Sequence, residues 1–174
     1  MDKITELYHE MITYYEGDPK RIQHFIKVHS FAKMIGTLEN LDDRELFILE
    51  AAALVHDIGI KAAEEKYGSC EGRLQEKEGR ALAEQMLMKL NFDVAVTERV
   101  AYLVGHHHTY MDIEGMDYQI LVEADFLVNL YEDAVSLGAV RAALQKIFKT
   151  ETGKEICETM FAVKKPAESN GKEE

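Results

Sequence analysis

The chain has 174 residues, of which 47% are apolar and 30% are charged, and it contains only two prolines. This composition is typical of one soluble domain with a substantial core, and it favours helices. The formal net charge of −12 at pH 7 repels phosphate backbones, which argues against a nucleic-acid polymer as partner. A small phosphorylated molecule is still compatible with this charge where local cations or a metal ion reverse the field.

The N-terminal stretch MDKITELYHEM lacks the cationic segment and apolar core of a signal peptide. No apolar run approaches the length that spans a bilayer. Cys70 and Cys157 stand in no CxxC pattern, so we expect two free thiols rather than a disulfide framework. The sequence therefore predicts a cytoplasmic protein with no membrane partner.

Apolar residues recur at helical spacing along almost the whole chain. Asp18 and Pro19 form a helix-start signal, and Asp42 with Glu45 forms a capping box. The glycines and mixed charge of residues 61–73 predict a loop or a short helix with a mobile end. The predicted helices cover residues 3–16, 19–38, 42–55, 76–90, 94–106, 118–131, 137–148 and 152–161.

No segment shows the sustained alternation of a β-strand. The sequence therefore predicts an all-α fold, with roughly six to eight helices in a single compact domain over residues 1–163. Residues 164–174, KKPAESNGKEE, carry almost no apolar side chain and are predicted to form a disordered tail.

Histidines and aspartates interrupt apolar helical stretches at four separate places. His24 lies in RIQHFIKVHSFA, His56 and Asp57 end AAALVHDIG, Asp125 lies inside ILVEADFLVNL, and GHHH at 105–108 ends another helix. Burying an unpaired carboxylate or charged imidazole costs several kcal/mol unless the group is paired or binds a metal ion. Four such places indicate that the polar groups meet. Histidine and aspartate without cysteine favour Mn²⁺, Fe²⁺, Co²⁺, Ni²⁺, Zn²⁺ or Mg²⁺.

These residues resemble the HD-domain superfamily of metal-dependent phosphohydrolases, in which the ligands follow the order His, His-Asp, Asp. The first histidine of that family lies in H-x-x-[RK]-V-x-x-x-A, which reads HFIKVHSFA here and selects His24 rather than His29. The resemblance extends from about Arg21 to Asn129. It implies the helical fold of the superfamily and one divalent ion held by His24, His56, Asp57 and Asp125.

Three of the four predicted ligands also have a structural interpretation when they are considered alone. His24 is explained as a core histidine bonded to a carbonyl group, and Asp57 as the end of a helix. Asp125 is explained as the buried partner of an arginine. The matching motif and the number of such groups favour the metal site over these alternatives.

The GHHH cluster raises the question of a second ion. Two-metal members of the superfamily use histidines at this position together with another histidine on the preceding helix. That helix position is Gln75 here, and an amide is a poor ligand for a transition metal. The departure predicts one tightly held ion, with His106 and His107 polarising the substrate or binding a second ion weakly. A solvent-exposed histidine turn is the alternative.

Two cations flank the predicted ligands along the chain. Arg21 lies one turn before His24, and Lys61 lies four residues after Asp57. Arginine makes paired bonds to phosphate oxygens and lysine supplies a point charge, so both are predicted to bind a substrate phosphate. Both are also explained as ordinary surface cations. Some nucleotidase-like relatives have an acidic residue at the position of Ile60, so that particular catalytic arrangement is not expected.

The resemblance implies hydrolysis by a metal-activated water, with Asp57 acting both as ligand and as the group that orients the water. The implied substrate is a phosphomonoester or a nucleotide. One alternative is a non-catalytic metal-binding or regulatory module. A di-iron oxygenase is a second alternative, which Gln75 disfavours. The native metal, the substrate and the formation of a homodimer stay open.

Overall fold

The computed structural model describes residues 2–163, which form nine helices and no β-strand. The all-α prediction is confirmed, and the described residues contain one helix more than the predicted range because residues 59–67 are helical. The predicted tail, 164–174, lies outside the described residues. The helices are α1 (Lys3–Tyr14), α2 (Pro19–Leu38), α3 (Asp43–Val55), α4 (Gly59–Tyr67), α5 (Gly72–Lys89), α6 (Val94–Val104), α7 (Met116–Glu132), α8 (Leu137–Lys146) and α9 (Glu151–Met160).

Side-chain caps determine where several helices begin. The Asp18 carboxylate accepts a hydrogen bond from the backbone of Arg21, and Pro19 occupies the first turn of α2. Asp42 and Glu45 form the predicted capping box at the start of α3. Both signals work because the first N–H groups of a helix have no partner within it.

Helices α2, α3 and α7 pack against one another and form the centre of the core. In α3 every residue from Ile48 to Val55 is buried, and α7 is buried along most of its length. A polar side chain on the facing surfaces of these helices is therefore removed from bulk water, and its partners must be protein groups or a bound ion.

Gly59 begins α4. Helix α3 ends at Val55, and a turn of three residues connects it to α4. A Cβ atom at position 59 would overlap the carbonyl oxygen of Gln75 and the backbone of Gly79. Helices α4 and α5 therefore touch through their backbones, which requires glycine at the point of contact.

Helices α1 and α9 complete the core from the two ends of the described chain. Leu7 and Met11 of α1 and Cys157 of α9 are fully buried, with α1 against α3 and α9 against α7 and α2. Cys70 is exposed, and both cysteines are free thiols as predicted. No helix within residues 2–163 has the length and apolar character needed to cross a membrane.

Candidate metal centre

Three helices bring the four predicted ligands to one point in the core. His24 lies on α2, His56 and Asp57 lie in the turn after α3, and Asp125 lies on α7. The Nε2 atom of His24 is 3.3 Å from Nε2 of His56, 3.3 Å from Oδ2 of Asp57 and 3.2 Å from Oδ1 of Asp125. The Nε2 atom of His56 is 3.4 Å and 3.5 Å from the same two oxygens.

Hydrogen bonds at the far side of each imidazole determine which nitrogen carries the proton. Nδ1 of His56 donates to the carbonyl oxygen of Ala53 at 2.9 Å, and Nδ1 of His24 donates to Oε2 of Glu132 at 2.8 Å. Carbonyl and carboxylate oxygens only accept, so the proton of each neutral ring is on Nδ1. Each Nε2 atom then directs a lone pair at the centre of the cluster.

With both rings neutral, two lone pairs and two carboxylate oxygens therefore converge with no hydrogen between them. Such a set of acceptors is unfavourable in a buried position unless a cation lies among them. Atoms of His24, His56 and Asp57 lie within 4.8 Å of one another, close enough to hold one metal ion. Neutral imidazole and ionised carboxylate are the forms that bind a divalent ion, so these residues fit the predicted metal.

The electrostatics of the cluster favour positive charge at its centre. Burial raises the pKa of Asp57, but His56 and His107 outweigh burial and hold that pKa well below its usual range. Burial of Asp125 is outweighed in the same way by His24 and His56, so its pKa is also lowered. Burial lowers the pKa of His56, but Asp57 and Asp125 outweigh it and raise that pKa well above its ordinary value. The cluster attracts a cation, whether a proton or a metal ion.

A second layer of side chains orients the ligands. The carboxylate of Glu132 accepts from His24 and, at 2.5 Å, from Nζ of Lys27. The amide of Asn129 donates to Oδ1 of Asp125 at 2.8 Å. A carboxylate behind a ligating histidine is a common feature of metal sites, because it fixes the ring and its tautomer. Sequence reasoning missed Glu132, although its position seven residues after Asp125 puts both on one face of α7.

The two histidines of GHHH that lie near Asp57 are His107 and His108, one position later in the sequence than the predicted pair. His107 is buried, its Nδ1 donates to the carbonyl of Val104 at 2.8 Å, and its Nε2 lies 3.4 Å from Oδ1 of Asp57. That Nε2 atom has no hydrogen-bond partner within residues 2–163. His107, His108 and Asp57 form a second group close enough to hold an ion.

His106, the other histidine predicted for this role, lies elsewhere. Its ring stacks on Tyr102, and its Nδ1 donates to the carbonyl of Tyr102 at 2.7 Å. The turn after α6 therefore directs His107 and His108 toward Asp57. The structure thus brings His107 and His108 near Asp57, rather than His106 and His107.

Gln75 occupies the edge of the second group. Its amide nitrogen donates to the carbonyl of Cys70 at 2.5 Å, which leaves its Oε1 to accept from Nε2 of His108 at 3.0 Å. Burial, together with the neighbouring His107, lowers the pKa of His108 to about 4. His108 is therefore neutral near pH 7, and the nitrogen beside Gln75 carries its proton rather than a free lone pair.

A cavity of about 320 Å³ opens beside the cluster. Arg21 lines it, and its guanidinium is bonded to Asp18 at 2.9 Å and to Glu64 at 2.6 Å. Lys61, the second predicted phosphate-binding residue, is not among the lining residues; its Nζ lies 5.7 Å from the ring centroid of Tyr14. The other lining residues are Asp18, Lys20, His24, Asp57, Ile60, Glu64, Cys70, Asn129, Glu132 and Asp133.

Comparisons with known proteins agree with this arrangement. The family model described as the HD domain matches residues 21–148, a segment that contains all four predicted ligands. The crystal structure of a predicted HD superfamily hydrolase from an uncultured Thermotogales bacterium is similar, with a TM-score of 0.62 and 26% sequence identity. The similarity covers 92% of this chain and 84% of that chain. The comparison with curated proteins gave no match. This chain therefore belongs to the HD-domain family.

Proposed function

We propose that this protein is a metal-dependent hydrolase acting on a small phosphorylated molecule, either a phosphomonoester or a nucleotide. Membership of the HD-domain family and the description of the similar structure as a predicted hydrolase support the hydrolase class. The observation that carries the proposal is the convergence of four acceptor atoms, from His24, His56, Asp57 and Asp125, beside an open cavity. Phosphate-ester chemistry is the part that rests on the family resemblance.

The residues of the cluster have different roles in the proposed reaction. His24, His56, Asp57 and Asp125 would hold a divalent ion, which would lower the pKa of a water molecule and neutralise charge that develops on the phosphoryl oxygens. Asp57 directs Oδ2 at His24 and His56 and Oδ1 at His107. Its second oxygen is thus available to accept a hydrogen bond from the attacking water. Glu132 and Ala53 already orient the two imidazoles, so the direction of both rings is set before a substrate binds.

The charges of the cavity suggest how a phosphorylated substrate is held. Arg21 and Lys20 are the cations that line it, and Arg21 shares its charge with Asp18 and Glu64. Arginine still contributes hydrogen-bond donors to a phosphate beside such partners. A metal ion held by the cluster would have to supply most of the attraction, because carboxylates outnumber cations among the lining residues.

The two alternative functions differ from the proposal in what they require of the site. A purely metal-binding module needs the buried ligands but no cavity beside the partly exposed Asp57. A di-iron oxygenase needs two well-bound ions, whereas the second group offers a histidine whose Nε2 already donates to Gln75. Both observations favour the hydrolase.

The experiment is metal analysis of the purified protein combined with a phosphate-release screen over nucleotides and sugar phosphates. Asp57→Ala tests the site, and Asp43→Ala, at an exposed aspartate in the first turn of α3, is the matched control. We expect the wild type and the control to retain one ion and to release phosphate, and Asp57→Ala to lose both while its circular dichroism stays helical. Full retention of metal and turnover by Asp57→Ala would contradict the assignment. Metal retention without turnover in the wild type would favour the metal-binding module.

A further inference from the structure

We propose that Tyr14 and Tyr15, at the end of α1, are positioning residues for the metal-ligand turn. The hydroxyl of Tyr15 donates to the carbonyl oxygen of Asp57 at 2.7 Å. The hydroxyl of Tyr14 donates to the carbonyl oxygen of Ile58 at 3.1 Å. Both tyrosines precede residues 21–148, the segment matched by the family model. The inference rests on the metal site of the proposed function and is independent of the reaction.

The turn that these tyrosines contact has few backbone bonds of its own. Residues 56–58 lie between α3 and α4, and the tight bonds that cross the turn run from Ile58 to Val55 and from Ile60 to Asp57, each at 3.0 Å. Because a peptide unit is planar, holding the carbonyl of Asp57 also restricts rotation about its Cα–C bond. The direction of the Asp57 side chain, which serves both groups of ligands, depends on that rotation.

Ring packing also restricts the two tyrosines. Tyr15 is 2% exposed, and its ring meets that of Tyr14 edge to face, with centroids 4.9 Å apart. It also packs beside Phe25, the residue that follows His24 on α2. Tyr15 thus contacts the backbone of one predicted ligand, Asp57, and the residue next to another, His24.

The same pair of rings lies beneath the two predicted phosphate-binding cations. The guanidinium carbon of Arg21 is 5.8 Å from the ring centroid of Tyr15. The ammonium of Lys61 is 5.7 Å from the centroid of Tyr14. These distances are within the range of cation–π attraction. The pair therefore connects the ligand turn to the cation that lines the cavity.

A purely structural role would also explain a tyrosine hydroxyl bonded to a carbonyl group, and Tyr8 separates the two interpretations. Tyr8 lies on the same helix and pairs its hydroxyl with Nδ1 of His29 at 2.5 Å, and Nε2 of His29 lies 3.0 Å from Glu50. Tyr8→Phe therefore removes one phenolic hydrogen bond from α1 without touching the ligand turn. It is the matched control for Tyr15→Phe and Tyr14→Phe.

The experiment titrates the full chain with Co²⁺ and records the dissociation constant and the visible absorption spectrum of the bound ion. The spectrum reports ligand geometry, which a loss of overall stability does not change. We expect Tyr15→Phe to bind Co²⁺ about tenfold more weakly with a shifted spectrum, as for other residues behind a ligand. Tyr14→Phe should change both readouts in the same direction but less. Tyr8→Phe should match the wild type in both readouts, even where its melting temperature falls.

A Tyr15→Phe protein with the affinity and spectrum of the wild type overturns the inference. So does a Tyr8→Phe protein that weakens Co²⁺ binding as much. Should Tyr15→Phe fail to fold, an unchanged Tyr14→Phe overturns it instead. A wild type that binds no Co²⁺ overturns the metal site and this inference together, whereas one that binds Co²⁺ but releases no phosphate contradicts only the proposed reaction.

Discussion

Glu123 and Asp125 are two buried carboxylates on α7, separated by a single residue, and their surroundings are opposite. Glu123 faces hydrogen-bond donors: the backbone N–H groups of Lys149 and Thr150 lie at 2.6 and 2.9 Å. The Thr150 hydroxyl and the Gln119 amide lie at 2.5 and 2.8 Å. Asp125 faces two imidazole nitrogens that offer lone pairs, and it accepts from the Asn129 amide.

The difference shows that burial of a carboxylate does not by itself mark a functional site. Residues two apart on a helix point to different faces, so one sequence stretch can serve two purposes. Where donors surround the carboxylate, as at Glu123, its charge is stabilised by the protein and it holds the start of α9 in place. Where imidazole lone pairs face the carboxylate, as at Asp125, a cation is needed to offset the charge that the Asn129 amide alone does not balance.

The largest expected effect is loss of the ion on changing Asp125. Asp125→Asn keeps the size of the side chain but removes its charge and adds N–H donors. We expect metal affinity to fall by more than about a hundredfold, because residues behind a ligand already cost ten- to a hundredfold. Metal content after dialysis and titration with Co²⁺ measure it. If Asp125→Asn retained as much metal as the wild type, Asp125 would not differ from Glu123 in metal binding, and the comparison would be contradicted.

Glu123→Gln is the reciprocal change, and its effect should be on stability alone. The amide nitrogen of glutamine would meet the N–H groups that Glu123 now accepts from, and charge-assisted bonds would be lost. We expect the free energy of unfolding in urea to fall by about 3 kcal/mol, with metal affinity unchanged. Glu155→Gln, at an exposed position on α9, is the control and should be neutral. A loss of metal binding in Glu123→Gln would contradict the comparison.

Gln75→His extends the comparison to the second ligand group. The change removes the acceptor that occupies His108 and supplies another imidazole, so the acceptors facing Asp57 should then hold an ion. We expect two ions per chain after dialysis, against one for the wild type, since imidazole suits transition metals and an amide does not. Gln85→His, at an exposed position on α5, should retain one ion. Two ions in the wild type would show that His107, His108 and Asp57 suffice without a histidine at position 75.

Arg21→Ala tests whether a paired cation still contributes to substrate binding. A charge-assisted bond to phosphate contributes about 1.5–3 kcal/mol, and sharing with Asp18 and Glu64 puts Arg21 at the lower end, or about a tenfold loss of kcat/KM. Metal affinity should be unchanged. Lys61→Ala should lose less, because Lys61 lies over Tyr14 and outside the cavity lining.

The control for both cations is Arg141→Ala, at an exposed position on α8. The comparison uses a substrate that the wild type hydrolyses and measures kcat and KM separately. If all three variants had the same kcat and KM, Arg21 and Lys61 would not bind the substrate phosphate. The phosphate would then be bound by the metal ion and the histidines.

The smallest effect concerns Glu50, a third buried carboxylate that faces donors. Burial raises the pKa of Glu50, but bonds to His29 and Lys33 outweigh it and bring that pKa below its ordinary value of 4.5. Because the folded pKa is the lower one, the stabilisation is present above the ordinary value and is lost as the pH falls through the folded value.

Glu50→Gln should therefore flatten the acid side of the stability curve. In chelator, the free energy of unfolding of the variant should fall less than that of the wild type between about pH 6 and about pH 3. Glu155→Gln again serves as the control and should follow the wild-type curve. Parallel curves for wild type and Glu50→Gln would contradict the role of this carboxylate.

The sequence predicts the fold class and the first ligand group because both have local signals. Helical spacing of apolar residues is a short-range property, and His24, His56, Asp57 and Asp125 each interrupt it within a recognisable stretch. The structure brings these four residues together, and their role as ligands is still a prediction that metal analysis must test.

Other features depend on packing that no local pattern reports. Three consecutive histidines are equivalent in sequence. The conformation of the backbone after α6 places His106 against Tyr102 and directs His107 and His108 toward Asp57. The bond from His24 to Glu132 joins residues 108 positions apart. Lys61 follows the ligand motif closely, yet the direction of α4 carries its side chain to Tyr14.

The core of the structure extends beyond the segment that the family model matches, because α1 and α9 contribute buried side chains to it. Leu7, Met11 and Cys157 lie outside residues 21–148, and all three are fully buried. A large apolar side chain contributes about 1.5–3 kcal/mol when it is buried, which is a considerable part of the stability of an ordinary domain. A fragment trimmed to residues 21–148 would keep every predicted metal ligand and still lack the helices that close its core. Domain dissection of this protein should therefore begin before Lys3 and end after Met160.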